Sequence, residues 1–373
     1  MSFNGKIRAV IIGFAHMHVN EVAKYISDEE DMVLAAAADT KATVPEVPKT
    51  RYTRAWNKEN IRENYCSVIY PDGEYCRMLD EVKPDIAFIL TETARKPEIV
   101  KACADRGVNV SIEKPMAVSF EEALKIEEYV KESGIFAMVN WPLTWRPYLH
   151  TMKKALDDGK IGKLIKLRFL IGNTGPVGKG ALHRGVTERA QDMSDSDKAS
   201  MWWYRKSEGG GALLDFCCYG CMLSNWITKE SAVAVTANAV NTAHPFADIY
   251  DNAAALVDFP SWLAVLEGTW TTPSRAIPAG PTFFGTDGVI ECRREKDKVV
   301  PYAFDIYGND IEIEEAPYPE YLKNIAAMYV HHVKTGEPVH ETLDFGNNMR
   351  VMAILDAAAR SAESGRKESV KRR

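Results

Sequence analysis

Ile7-Arg8-Ala9-Val10-Ile11-Ile12-Gly13-Phe14-Ala15-His16-Met17-His18 is the stretch that decides the fold. A continuous, largely β-branched run reads as a strand buried on both faces, as in parallel sheets. Gly13 ends it at once, and a helical pattern occupies 19–26. Strand, glycine and helix in that order form a turn whose amide N–H groups can face a phosphate at the helix start. The pattern then repeats. A second strand over 32–38 stops at Asp39, a polar and poorly patterned stretch fills 40–64, and a short apolar segment at 67–69 precedes a helix over 73–82. Strands at 86–90 and 108–112 alternate with helices at 97–106 and 119–133, the last opened by Ser119 with Glu122 three residues on, a capping box. Strands alternating with helices predict an α/β fold with a doubly wound parallel sheet.

Such a sheet binds dinucleotides through a G-x-G-x-x-G loop, whose three places here read Gly13, Ala15 and His18. Ala15 is small enough to admit a phosphate, whereas His18 is bulky where helix packing asks for glycine. Asp39, at the end of the second strand, suits the ribose hydroxyls and repels a 2′-phosphate, so NAD is expected over NADP, with the nearby Lys41 favouring the latter. Phe14, His16 and Met17 complete the expected cofactor loop, and Thr91, Glu113 and Lys114 join it from the ends of later strands. His16 and His18 invite a metal reading. Alternate loop residues point in different directions, however, and no third ligand stands out, so no metal is expected.

Glu113-Lys114-Pro115 closes the 108–112 strand. A lysine at the C-terminal end of a parallel strand faces the ligand crevice, and the proline behind it ends the ladder and stiffens the turn. In the second half, Gly209-Gly210-Gly211 opens an apolar helix containing Asp215 and Tyr219, spaced i, i+4 on one face. A carboxylate and a phenol on such a face are costly to bury without a purpose. Trp141, Arg146, Trp203 and Arg205 place aromatics beside cations, a pattern suited to a sugar ring and to an interdomain core alike. Cys217, Cys218 and Cys221 read as core packing rather than a zinc site.

The 373 residues suggest two domains, and the composition, 46% apolar and 26% charged, is that of a globular protein. A net charge of −6 argues against nucleic acid or an anionic membrane as the main partner. No apolar run reaches the roughly 20 residues needed to span a bilayer. Seven cysteines, an odd number, suit a reducing cytoplasm better than a disulfide framework.

Taken together, these residues resemble the Gfo/Idh/MocA family, the glucose-fructose oxidoreductase and inositol dehydrogenase group. The resemblance runs nearly end to end, from Gly13, Asp39 and Glu113-Lys114-Pro115 through the 209–219 helix, the stretch Phe284-Gly285-Thr286-Asp287-Gly288, and the terminal helix over 349–364. It implies an N-terminal Rossmann domain (1–141) and a C-terminal α+β domain (142–373) with an open, mostly antiparallel sheet, its terminal helix packing back on the first domain. It also implies a nicotinamide cofactor, a small carbohydrate-like substrate, and a homodimer or homotetramer formed through the C-terminal sheet. By position Lys114 is the catalytic lysine and Asp215 the helix carboxylate. Tyr219 stands where many members have histidine, although some sugar oxidoreductases and dihydrodiol dehydrogenases of the family have tyrosine. Cys217 in place of glycine and Met222 in place of a frequent aspartate are departures that bear on substrate identity.

A phenol must shift by about 3 pKa units, roughly 4 kcal/mol, to act as a base near neutrality. One cation about 4 Å away at an effective dielectric of 20 supplies about 4 kcal/mol. Tyr219, lowered by Lys114, is therefore expected to take the proton from a substrate hydroxyl as hydride leaves, with Asp215 binding a neighbouring hydroxyl or holding Lys114. The function expected is a cytoplasmic NAD-dependent oxidoreductase acting on a sugar, polyol or glycoside. Two alternatives share the fold: an NAD-dependent glycosidase or lyase working by transient oxidation, and a non-catalytic nucleotide-binding sensor. The Gly- and Ser-rich stretch 173–199 reads as a lid or an oligomer contact.

Overall fold

In the computed structural model, which describes residues 5–44, 47, 49–296 and 298–372, Ile7–Ile12 becomes β1, next to the edge of a five-stranded parallel sheet. Val19–Asp28 is α1 and Met32–Ala38 is β2. Arg54–Asn64 (α2) and Tyr75–Val82 (α3) lead to β3 at Ile86–Ile89. Lys96–Ala104 (α4), Asn109–Glu113 (β4), Phe120–Ser133 (α5) and Ala137–Asn140 (β5) complete the unit. The strand order β2-β1-β3-β4-β5 reverses between β1 and β3, which puts the ligand crevice at the C-terminal ends of those two strands. All four β3 residues are buried, as a parallel strand covered on both faces requires. The Ser119 cap forms as read, its Oγ accepting from the Glu122 N–H at 3.2 Å.

One local expectation is corrected. The stretch 40–64 contains α2, whose mostly polar composition hides its helical period; Pro45, Glu46 and Pro48 lie outside the described residues. The apolar segment 67–69 contributes a single parallel bridge between Ala37 and Ile69.

The second sheet has nine strands. After Pro147–Asp157 (α6) come Leu164–Gly172 (β6), Asp195–Ala199 (α7) and Cys218–Ile227 (α8). Ala234–Val240 (β7), Asn252–Asp258 (β8), Leu263–Thr269 (β9), Thr282–Gly285 (β10), Gly288–Glu295 (β11), Lys298–Asp305 (β12) and Asp310–Ile311 (β13) follow. Ile325–Thr335 (α9), Phe345–Ser364 (α10) and Glu368–Ser369 (β14) end the chain. The order is β13-β12-β11-β10-β6-β9-β8-β7-β14, antiparallel throughout except for the β6/β9 pair. One face carries α8, every residue of which is buried, and α10 packs against both α8 and β7, where the Ala237 N–H donates to Ser361 Oγ at 2.8 Å. The segment before α10 returns to the first sheet, where the Val139 N–H donates to the Leu343 carbonyl at 3.1 Å at the β5 edge.

Gly13 sits at φ +102°, and a Cβ there would lie 2.7 Å from both the Cβ and the backbone N of Thr91. Any side chain must therefore strain the backbone and push β3 from β1. Gly13→Ala is expected to lower the unfolding free energy by about 2 kcal/mol or more in urea denaturation, against the small gain of a Gly→Ala change at a compatible site.

Candidate active site

The centre of the site is a buried ion pair between the two sheets. Lys114 leaves the end of β4 at a cis Lys114–Pro115 bond and is 2% exposed. Its Nζ donates to Asp215 Oδ1 at 2.7 Å and to the Asp215 carbonyl at 2.9 Å. Asp215 lies in a π-helical turn, Leu213–Cys217, that runs into α8; such turns often mark functional sites. The second Asp215 oxygen accepts from Trp270 Nε1 at 3.0 Å. Burial alone would lower the lysine, but the Asp215 carboxylate and Tyr219 outweigh it and hold the ammonium well above its ordinary range.

Tyr219, on the first turn of α8, meets Lys114 through its ring face, with the ammonium 4.4 Å from the centroid. Amine and phenol thus come together in the structure. The expected electrostatic outcome does not follow. Burial pushes the Tyr219 phenol above its usual value, and Lys114 opposes that only in part. The cation lies over the ring rather than at the oxygen, while the whole phenol pays for leaving water.

Glu113 is locked from three sides. His18 Nδ1 lies 3.0 Å from its Oε1, Asn140 Nδ2 donates to Oε2 at 3.0 Å, and Lys96 Nζ donates to its carbonyl at 2.8 Å. Lys96 also donates to the Pro115 carbonyl at 2.7 Å, so a fully buried amine pins both ends of the lysine turn. Burial, offset in part by Glu113, lowers Lys96 to about 7. No sequence signal marked this residue, which reads as an ordinary helix start. His18 is raised: burial would lower it, but the charge of Glu113 and the hydrogen bond that His18 donates to its carboxylate win. His16 is driven well below its usual range, first by burial and then by His18. The two imidazoles do not diverge as loop alternation suggested; their centroids are 4.4 Å apart, and Glu113 brings a third donor atom within 4.8 Å. With Glu113 engaged by His18 and Asn140 and the Lys114 ammonium alongside, this geometry serves hydrogen bonding before it serves a cation.

The dinucleotide crevice shows donors and acceptors left open. Among the described residues the Ala15 and Met17 N–H groups, just ahead of α1, donate to no acceptor, a position where an anion is favoured. Asp39 Oδ1 accepts from the N–H groups of Phe14 (3.2 Å) and Thr40 (2.9 Å), while its buried Oδ2 has no partner among the described residues. Burial raises the Asp39 carboxyl, against Arg54, which ion-pairs with Asp39 and Glu92 together. Thr91 donates its hydroxyl to Glu92. These features fit a bound dinucleotide: N–H groups for the pyrophosphate and a free carboxylate oxygen for the ribose. The loop is roofed by the other half, with Trp202 Nε1 donating to the Ala15 carbonyl at 3.0 Å and Trp203 packed edge-on against His16 at 4.8 Å.

The other expected substrate residues separate. Trp141 is a buried wall behind Tyr219 (centroids 5.6 Å apart), its indole N–H bound to Asn348 at 2.7 Å, so it offers no free stacking face. Arg205 donates to the Ala199 carbonyl at 3.3 Å. Trp203 stacks on Trp202 at 3.8 Å. Arg146 stays half-buried at the start of α6. The 173–199 stretch crosses to the first half: Tyr52 bonds the Glu188 carbonyl, Arg184 pairs with Glu21 at 3.4 Å, and Arg51 donates to the Arg189 carbonyl at 3.0 Å.

Comparison with known proteins agrees with this architecture. Residues 7–141 match the family described as "Oxidoreductase family, NAD-binding Rossmann fold", and residues 149–291 match the "GFO/IDH/MocA C-terminal domain". The chain belongs to the Gfo/Idh/MocA oxidoreductase family. It is 31% identical over 200 residues to scyllo-inositol 2-dehydrogenase (NAD(+)) of Bacillus subtilis, covering 52% of each chain. With D-xylose 1-dehydrogenase (NADP(+)) 2 of Haloferax volcanii it shares 24% identity over 304 residues, 79% of this chain and 82% of that one. Matches to the first curated relatives span between 38% and 61% of their lengths. The aldose-aldose oxidoreductase of Caulobacter crescentus shares the fold, with a TM-score of 0.75 at 18% identity over 98% of this chain and 99% of that one.

Because folded Lys96 loses its proton near pH 7 and the unfolded chain keeps it until about 10.4, wild-type stability relative to Lys96→Met is expected to rise as pH climbs between those values and to be flat below them. Paired urea titrations across that range measure it.

Proposed function

We propose that this chain is a nicotinamide-dependent oxidoreductase that moves a hydride between the dinucleotide and a hydroxyl, or the matching ketone, of a sugar, polyol or glycoside. The observation that supports this reading most directly is the Lys114–Asp215 pair, set under Tyr219 at the C-terminal ends of a parallel sheet. Bound nicotinamide supplies the hydride acceptor and, when oxidised, a positive charge. The chain's own groups do the rest. Lys114 has three N–H donors and spends two on Asp215, which leaves one to steady the substrate oxygen as it gains negative charge. Asp215 keeps that ammonium protonated and aimed. Tyr219 is the proton carrier beside it. With its phenol raised by burial, it is a proton donor in the reducing direction as it stands, and it accepts a proton only with the help of the cations around it.

The same reading takes NAD over NADP, because the partnerless Asp39 oxygen suits two ribose hydroxyls and repels a phosphate. It places the protein in the cytoplasm, consistent with free thiols at Cys66, Cys76, Cys103, Cys217, Cys218, Cys221 and Cys292. No helix among the described residues is long and apolar enough to cross a membrane. It pairs copies through the open face of the nine-stranded sheet, where Ile165 and Leu256 are exposed.

Incubation with NAD or NADP and a panel of polyols, sugars and glycosides, following NADH and products together, tests the reading. Reduction with NAD is expected to exceed that with NADP, and Asp39→Ala to narrow the gap. With the best compound, Lys114→Met is expected to lower kcat by about 10³-fold and Tyr219→Phe by about 10²-fold or more. A Tyr219→Phe enzyme turning over at the wild-type rate would remove Tyr219 from the chemistry.

A further inference from the structure

We propose that Arg54 decides between the two dinucleotides: paired with Asp39 and Glu92 it holds the carboxylate that takes the ribose, and freed from Asp39 it becomes the ligand of a 2′-phosphate. This rests on the dinucleotide part of the reading above and goes beyond it, because there Asp39 alone carries the preference. Arg54 is the first residue of α2, behind the Thr53 cap, whose side chain accepts from the Trp56 N–H at 3.4 Å. It reaches back to the segments that follow β2 and β3. Nη1 donates to Asp39 Oδ1 and, at 3.4 Å, to the Thr40 hydroxyl oxygen, and Nη2 donates to Glu92 Oε1. The guanidinium is 12% exposed and both carboxylates are fully buried. Arg54 also lines a cavity whose apolar walls include Ala15, Ala42, Val44 and Trp202. Such walls suit the flat adenine ring, which puts Arg54 at the adenosine end of the dinucleotide.

Two buried carboxylates share one cation, so the cluster holds a net negative charge when all three groups are ionised. Without the guanidinium, two like charges out of water would drive one acid to take a proton. Arg54 is therefore a positioning residue for NAD. It keeps Asp39 ionised and turned so that Oδ2, which has no partner among the described residues, is left for the ribose hydroxyls. The same pairing occupies the fork. Nη1 and Nη2 are each committed to a carboxylate, and a 2′-phosphate would meet the open Asp39 oxygen instead of a donor. Removing the Asp39 carboxylate reverses this. Nη1 then loses its acceptor at the point where the ribose is bound, and a guanidinium offers a phosphate planar, charge-assisted hydrogen bonds. Lys41, exposed two residues past Asp39, is the competing cation, and the experiment separates the two.

Fluorescence titrations with NADH and NADPH, in the absence of substrate, read the choice without turnover. The wild type is expected to bind NADH about tenfold more tightly than NADPH, and Asp39→Ala to tighten NADPH by about tenfold, the worth of one charge-assisted bond. Adding Arg54→Met to Asp39→Ala should erase that gain, adding Arg54→Lys should leave part of it, and adding Lys41→Met should leave it whole. Arg54→Met alone should weaken NADH without tightening NADPH. Glu92→Gln removes a negative charge while keeping both Asp39 and Arg54, and should tighten NADPH more than it changes NADH. An NADPH gain that survives Arg54→Met, or that is lost with Lys41→Met instead, would overturn the proposal. So would an unchanged NADPH affinity in Glu92→Gln, a test that stands even where Arg54→Met does not fold. Failure of the wild type to bind either dinucleotide would count against the oxidoreductase reading, whereas absence of coupling between positions 39 and 54 counts against this proposal alone.

Discussion

The Lys114–Asp215 ion pair is the constraint on which the rest of the arrangement depends. It ties a residue at the tip of the first sheet to one in the turn that opens α8 under the second, and both partners are buried. A pair in that position is weak as a source of stability, because desolvation consumes most of the Coulomb gain. Its value is positional. Breaking either side strands a charge, so the two halves hold one relative setting, and the remaining ammonium N–H is aimed without searching. Lys96 and Trp270 serve the same end from opposite sides, one fixing the backbone of the lysine turn and the other the far oxygen of the carboxylate.

Charge is distributed around this pair in a recurring pattern. Lys114, His18 and Arg54 each meet a carboxylate, and the carboxylates are oriented further by neutral donors, as Asn140 does for Glu113 and the Phe14 and Thr40 amides do for Asp39. The result is a low-dielectric crevice whose dipoles are set before anything enters it, the condition under which electrostatic stabilisation of a developing charge costs least reorganisation. The exceptions to the pattern carry information: the open Asp39 oxygen, the free loop amides and Lys96, whose amine meets backbone carbonyls instead.

Much of this was legible in the sequence, and the parts that were not share a cause. The β1 run and Gly13, the acid after β2, the lysine turn and the Ser119 cap depend on local chemistry, and local chemistry is written in neighbouring letters. Helix α2 was obscured because its outward face is almost wholly polar, so the 3.6-residue period has little contrast, and Arg54 was lost with it. Lys96 was invisible because its partners are backbone carbonyls seventeen and nineteen residues away, which no side-chain pattern records. For Tyr219 the expectation of a nearby Lys114 was silent on desolvation and on the approach over the ring face, and those decide the direction of its shift. The His16–His18 pair shows the same limit: alternation along a loop does not fix where side chains point once the loop turns into a helix.

The return of the chain to the β5 edge links order of synthesis to exposure. Residues 343–344 complete that border, through the Val139–Leu343 hydrogen bond and a bridge between Met138 and Asp344, although some two hundred residues separate the two stretches. While the chain is being made, the nucleotide half can assemble its strands long before that closing segment leaves the ribosome. Until then it presents an unpaired parallel strand to the surroundings, the kind of edge that recruits other chains. The segment just ahead of α10 is in this sense the latch of the nucleotide half, and a nascent chain stalled short of it would be a sticky one.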